Sequence, residues 1–250
     1  MFQNGFETWG VGMIDLKNTD CIKLLKSLPD NSVDMVCVDP PYFQIVKNDW
    51  DNQWKSEEEY LDWCREWTTE CFRVLKPNRC FYVWGTTKTD TFLKYKLEVL
   101  NKIEGSCYQN WIIWHYDWGG RTKKTFARKH EDLLMYSKGK EFLFNADDVR
   151  IPYAMKKNVR KGATNNPKGK IPTDVWQKNN HTTSKEYAGW HPTQKPLVLL
   201  ERIIKANTNP EDIVLDCFSG SGSTMIAAKR TNRSFRGTEL EKKYYEKSIE

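Results

Sequence analysis

Asp39-Pro40-Pro41-Tyr42 places a carboxylate, two ring-locked backbones and a flat phenol within four residues. Proline has no N–H to donate, fixes φ, and drives the residue before it out of the helical region. The stretch is therefore a stiff elbow. It presents an anion, carbonyls that no neighbouring N–H claims, and an aromatic face. Those groups suit an amino group on a planar heterocycle. The run directly before it, Val33-Asp34-Met35-Val36-Cys37-Val38, has the β-branched, apolar character of a buried parallel strand. The elbow then stands at the carboxyl end of a strand, where open α/β sheets hold their ligands.

A second group lies near the other end of the chain. Asp216-Cys217-Phe218-Ser219-Gly220-Ser221-Gly222-Ser223-Thr224 follows an apolar strand and opens a helix. Glycines there allow the backbone to pass close to a ligand, and the helix start offers free N–H groups. The stretch is neither GxGxxG nor a phosphate loop, because it lacks the GKS/GKT ending. One strand further on, Glu239 follows Gly237-Thr238. A carboxylate in that place can accept bonds from both hydroxyls of a ribose; a surface glutamate capping a helix is the plainer alternative.

The elements needed to position these groups can be read from periodicity. Gly10–Lys17 reads as a strand and Cys21–Ser27 as a short helix. Glu57–Leu75 has helical apolar spacing (Tyr60, Leu61, Cys64, Trp67, Cys71, Phe72, Leu75) and is closed by Lys76-Pro77-Asn78. Cys80–Trp84 is a second buried strand, with Trp84 read as core. Asp90–Ile103 reads as a helix, and Trp111–Tyr116 and Asp132–Tyr136 as strands flanking a turn and a basic stretch. Pro196–Ala206 is an amphipathic helix. Strand Ile213–Asp216, helix Thr224–Arg230, strand Ser234–Thr238 and a last helix from Leu240 follow. Alternating strands and helices predict an α/β domain with a largely parallel sheet.

Residues 151–190 break this pattern. They are rich in Lys, Asn, Gly, Thr and Pro and read as an inserted loop region. They hold eight basic residues, including Lys156, Lys157, Arg160, Lys161, Lys168 and Lys170, against two acidic ones. This window alone matches the net charge of +6 of the 250-residue chain. It is either a phosphate-neutralising segment or a solvated lysine-rich loop. The seven cysteines show no CxxC spacing and read as small core residues of a reducing compartment. Four scattered histidines give no metal-ligand spacing, so no metal is expected. The absence of a signal peptide or long apolar span predicts a soluble intracellular protein with no membrane partner.

The two motifs together resemble those of the DNA amino-methyltransferases that use S-adenosylmethionine. Asp39–Tyr42 is similar to their (D/N/S)PP(Y/F) catalytic motif and Phe218–Gly222 to their FxGxG cofactor motif. His191-Pro192-Thr193-Gln194-Lys195-Pro196 is similar to the HPTQKP element before the latter. The catalytic motif comes first here, which is the permuted order of the β class. The resemblance implies a mixed, mostly parallel seven-stranded, Rossmann-like methyltransferase sheet with helices on both faces. Residues 1–150 would form its catalytic half, 191–250 its cofactor half, and 151–190 a candidate target-recognition segment.

It further implies a cytoplasmic enzyme of a bacterium, archaeon or phage that acts on double-stranded DNA, with a homodimer as one arrangement. Asp39 and the Pro40 carbonyl would accept the N6–H bonds of a flipped adenine, Pro41 would stiffen the elbow, and Tyr42 would stack on the base. Asp20, which could equally be a plain helix N-cap, would meet the cofactor adenine and Glu239 its ribose. Thr193 and Lys195 would meet the methionine end, with Asp216, Phe218, Gly220 and Gly222 completing the cofactor site. No cysteine follows a proline, which disfavours attack on a cytosine ring carbon. Asp rather than Ser at position 39 favours adenine over the N4 of cytosine; methylation of RNA or of a protein amide is a weaker alternative, and a non-catalytic DNA-binding partner of a methylase is one of a different class.

Overall fold

The computed structural model describes residues 12–118, 121–153, 165–177 and 186–250. Its strands are β1 (Ile14–Lys17), β2 (Val33–Val38), β3 (Leu75–Gly85), β4 (Ser106–His115), β5 (His130–Lys138), β6 (Val175–Gln177), β7 (Ile213–Asp216) and β8 (Ser234–Thr238). They form one sheet in the order β1-β8-β7-β2-β3-β5-β4-β6. Only the pairings of β5 with β3 and β4 are antiparallel, so β5 alone runs against the rest.

Alternating residues of the central strands feed two cores. Val36, Val38, Phe81, Val83 and Leu215 pack with α1 (Cys21–Ser27), α2 (Glu57–Val74) and α3 (Thr91–Lys94). Met35, Cys37, Cys80, Tyr82 and Val214 pack with α4 (Leu197–Asn207) and α5 (Ser223–Arg230). A last helix, α6 (Lys242–Ile249), buries no residue. The first turn of α2 carries Glu57, Glu58 and Glu59, and the Ser56 hydroxyl accepts a bond from the Glu59 N–H at 3.2 Å. Both features stabilise a helix start.

The pairing of β2 with β7 is what makes a site. Met35 lies opposite Val214 and Val36 opposite Leu215, so the carboxyl ends of both strands, far apart in sequence, stand side by side. Buried Asp34 clamps the other end. It accepts from the Ile213 N–H at 3.0 Å and pairs with Lys76 at 2.8 Å and Arg79 at 3.2 Å.

Three features differ from the sequence expectations. The sheet has eight strands, not seven, because Val175–Gln177, inside the segment read as a loop, adds to β4 and buries Trp176. One buried residue between two exposed ones is too short a pattern to register as periodic. Lys76-Pro77-Asn78 lies within β3, since α2 already stops at Val74. The β2–β3 register shifts at this point, and a bulge is where a sheet tolerates proline. The helix expected over Asp90–Ile103 consists of α3, a π turn over Tyr95–Val99 and a 3-10 turn over Leu100–Lys102.

Strand β1 begins at Ile14, while Gly10 lies outside the described residues. Six of the seven cysteines are buried, Cys107 is half-buried, and all are free thiols. Among the described residues no helix is long and apolar enough to cross a membrane.

Candidate active site

A cavity of about 560 Å³ opens where β2, β7 and β8 end, and both motifs line it. Asp39 follows β2 directly. Its Oδ1 accepts from the Tyr42 hydroxyl at 2.6 Å and its Oδ2 from the Lys195 ammonium at 2.6 Å. A carboxylate has about four lone-pair sites, so two have no donor among the described residues. The Pro41 carbonyl is taken by the Tyr60 hydroxyl at 3.0 Å. The Pro40 carbonyl accepts no bond among the described residues. An anion and one carbonyl with no bond among the described residues therefore line the cavity together.

The loop after the elbow is braced by Asp51, which is 2 % exposed and accepts from the N–H groups of Tyr42 (2.8 Å) and Val46 (3.1 Å). Burial pushes its carboxyl up to about 6, against those two bonds. No sequence signal marked Asp51, because its effect comes from burial.

Lys195 is 6 % exposed and stands between two carboxylates, Asp39 at 2.6 Å and Glu131 at 3.1 Å, with its Nζ 5.3 Å from the centre of the Trp84 ring. Burial alone would lower its pKa. The attraction of Asp39 and Glu131 outweighs that, and the net shift is upward, so the ammonium stays charged at neutral pH. Burial likewise raises the Glu131 carboxyl, with Lys195 opposing. Glu131 sits on β5, within the Lys129-His130-Glu131 stretch that precedes the apolar part of that strand. The sequence pattern marked only Asp132–Tyr136 as strand, and the charge pairing of Glu131 has no local signature.

The second motif forms the other wall. Asp216 ends β7, is 3 % exposed, and accepts from the Phe218 N–H at 3.0 Å. Burial raises its carboxyl to about 7. Glu239 follows β8 and accepts from the N–H groups of Gly220 and Glu241, both at 2.7 Å. It therefore ties the glycine turn to the end of β8 as well as facing the cavity. Phe218 packs against Trp63 and Trp67, with ring centres 5.6 and 5.2 Å apart. At Gly220 φ is +52°, and a Cβ would come 3.0 Å from the His191 ring.

The structure brings Asp20, Asp39, Pro40, Pro41, Tyr42, Thr193, Lys195, Asp216, Phe218, Gly220 and Glu239 into this one cavity. Asp20 is also the N-cap of α1, accepting from the Lys23 N–H at 3.0 Å. Gly222 is not among the lining residues; it takes φ +74° as the N-cap of α5. Lys195, expected at the cofactor's methionine end, lines the cavity and donates to the Asp39 carboxylate. Trp84, read as core, is buried and also lines the cavity. Lys168 pairs with Asp147 at 2.6 Å, and neither it nor Lys170 reaches the cavity. Lys156, Lys157, Arg160 and Lys161 lie outside the described residues.

The cavity can hold a group carrying hydroxyls and positive charge. Asp20, Asp216 and Glu239 line one part of it, and the Ser219 Oγ is buried without a hydrogen-bond partner among the described residues. Among the described residues no cluster of His, Cys, Asp or Glu could hold a metal ion.

A family model described as DNA methylase matches residues 33–250. The chain is 35% identical over 233 residues to the type II methyltransferase M.HpaI of Haemophilus parainfluenzae, covering 93% of this chain and 72% of that one. It is 35% identical over 237 residues to the DNA adenine methyltransferase YhdJ of Escherichia coli (strain K12), covering 90% and 78%. Among solved structures, the cytosine-N4-specific PvuII DNA methyltransferase superposes with a TM-score of 0.76 at 20% identity over 94% of this chain and 85% of that one. That similarity concerns the fold. The complex of M1.HpyAVI with SAM matches with a TM-score of 0.63 at 26% identity, covering 95% and 98%.

Proposed function

The chain belongs to the N6/N4 DNA methylase family, and we propose that it moves the methyl group of S-adenosylmethionine to the N6 amino group of an adenine flipped out of double-stranded DNA. The observation that carries this reading is the elbow after β2. It offers the open lone pairs of Asp39 and the unclaimed Pro40 carbonyl together, in the same cavity as the glycine turn. Asp at the first motif position, and the adenine specificity in the name of a relative 35% identical, favour adenine over cytosine.

The cofactor assignment is supported by the SAM complex of M1.HpyAVI and by the three carboxylates and the unpartnered Ser219 hydroxyl of the cavity. Asp20, Asp216 and Glu239 would hold its polar and charged groups, with Phe218 and Gly220 shaping the wall. When bound, S-adenosylmethionine supplies an electrophilic methyl group on a sulfonium. The exocyclic nitrogen of adenine is a weak nucleophile because its lone pair is delocalised into the ring. Positive charge builds on that nitrogen as the new bond forms. Acceptors that bind its N–H groups therefore act more strongly in the transition state than before it. Asp39 and Pro40 are those acceptors, and Tyr42 and Lys195 fix the carboxylate that serves as one of them. The base must leave the duplex to reach them.

The 151–190 segment is the proposed target reader. Its described part docks on the sheet edge through β6, and its charge suits phosphate contacts.

Asp216 gives a pH prediction. Its carboxyl is raised to about 7 by burial from an ordinary 3.8. The fold thus holds this proton up to neutral pH, and the stability it contributes is full below 3.8 and lost as pH rises from there through about 7. A cationic ligand favours the ionised form. Affinity for S-adenosylmethionine is expected to rise with pH through this range, with proton release measurable by calorimetry in buffers of different ionisation enthalpy. Asp216→Asn should weaken binding and flatten the profile; an unchanged profile would remove Asp216 from the cofactor site. The function as a whole is tested by incubating the protein with labelled S-adenosylmethionine and unmethylated DNA. Label fixed at one sequence-defined position supports it, and no transfer to any DNA contradicts it.

A further inference from the structure

Between β4 and β5 the chain makes an excursion that the two motifs do not explain. Arg121-Thr122-Lys123-Lys124-Thr125-Phe126-Ala127-Arg128-Lys129 holds five basic residues and no acidic one. Its base is well anchored. The Tyr116 N–H donates to the Lys129 carbonyl at 3.0 Å and the Lys129 ammonium to the Trp118 carbonyl at 2.9 Å. Arg128 donates to the Thr87 hydroxyl at 2.6 Å and also binds the Thr87 carbonyl. Residues 121–126 are all exposed. Phe126 is 102% exposed, with its whole ring in water. Arg128, two residues on, lines the cavity that holds Asp39, as do Tyr116 and His130.

A single exposed apolar side chain is ordinary on a protein surface. Phe126 differs in its surroundings. It is fully exposed on an anchored arm, flanked on both sides in sequence by cations, and two residues from Arg128, which lines the proposed base-binding cavity. Duplex DNA is the partner that matches all three features. Its phosphates match the cations, and extruding a base leaves an apolar gap between stacked neighbours that a protruding ring can fill.

Resting on the reading proposed above, we infer that the 121–128 arm grips the duplex beside the target and that Phe126 enters the stack in place of the flipped base. Arg121, Lys123 and Lys124 would hold the flanking phosphates. This assigns part of the DNA contact to a segment outside residues 151–190.

The test uses the full chain and a short duplex carrying the target mapped by sequencing. A matched duplex has an abasic site opposite the target base, which makes extrusion easy. Phe126→Ala is expected to lower kcat/KM on the paired duplex by roughly ten-fold or more, in line with the loss of a base–aromatic stack. On the abasic duplex it should stay within about two-fold of the unaltered protein, because little unstacking then remains to be offset. Phe126→Trp should keep both activities. Exposed Phe126 has no packing to lose, so melting temperature and cofactor affinity should not move. Equal activity of Phe126→Ala and the unaltered protein on the paired duplex overturns the inference, as does an equal loss on both duplexes. Either result leaves the methyltransferase reading standing. Failure of the unaltered protein to methylate any DNA overturns both.

Discussion

Replacing Asp39 with alanine is expected to lower methyl transfer to DNA by roughly 10²–10³-fold, the scale of removing one preorganised charge-stabilising group from an active site, while S-adenosylmethionine still binds. The carboxylate stands on the elbow wall, and the carboxylates assigned to the cofactor, Asp20, Asp216 and Glu239, belong to other elements. The variant thus separates chemistry from binding. Asp39→Asn is the sharper control. It keeps the shape of the side chain and one acceptor oxygen, but its amide N–H groups would face the Lys195 ammonium or the target amino group, donor against donor. Both variants should bind cofactor with near-normal affinity by calorimetry and show the loss in kcat. Normal turnover by either would remove Asp39 from the mechanism.

The second large effect belongs to Lys195. It is buried between Asp39 and Glu131, and its removal leaves two carboxylates facing one another in a partly desolvated cavity. Breaking a buried ion pair from one side destabilises strongly, and Lys195→Met is expected to lower stability by roughly 3 kcal/mol, read from urea unfolding. Adding Glu131→Gln should recover part of that loss, because it removes one of the stranded charges. The kinetic signature separates two assignments of this lysine. A residue that positions Asp39 lowers kcat with little change in cofactor affinity. A residue at the methionine end of the cofactor raises KM for S-adenosylmethionine with kcat largely kept, and that result would contradict the arrangement around Asp39.

The parts of the molecule that could be read from sequence are those with local causes. Val33–Val38 is apolar but for Asp34 and is a strand buried on both faces. Cys21–Ser27, Ile213–Asp216 and Ser234–Thr238 begin and end where their patterns do. The elbow at Asp39 follows from two prolines. The turn at Gly220 and Gly222 follows from positive φ, which glycine adopts without strain.

What could not be read depends on long-range packing. Nothing local ties Lys195 to Asp39 or to Glu131, since the three groups come from a loop, a strand end and the reversed strand β5. The HPTQKP resemblance marked Lys195 as functional but carried no sign of its pairing with Asp39 and Glu131. Asp51 is an acid in a polar loop whose burial appears only in three dimensions. Trp176 anchors β6 through a single buried ring, below the length at which strand periodicity can be seen. The basic arm before β5 was visible as charge, but its place beside the cavity depends on the β4–β5 pairing.

The most direct measurement is the nucleoside composition of unmethylated DNA after reaction with the protein and isotopically labelled S-adenosylmethionine, read by mass spectrometry. Asp39 at the head of the elbow, acting with the Pro40 carbonyl, predicts labelled N6-methyladenine and no labelled N4-methylcytosine. Label found only in N4-methylcytosine would contradict the assignment of adenine as the base.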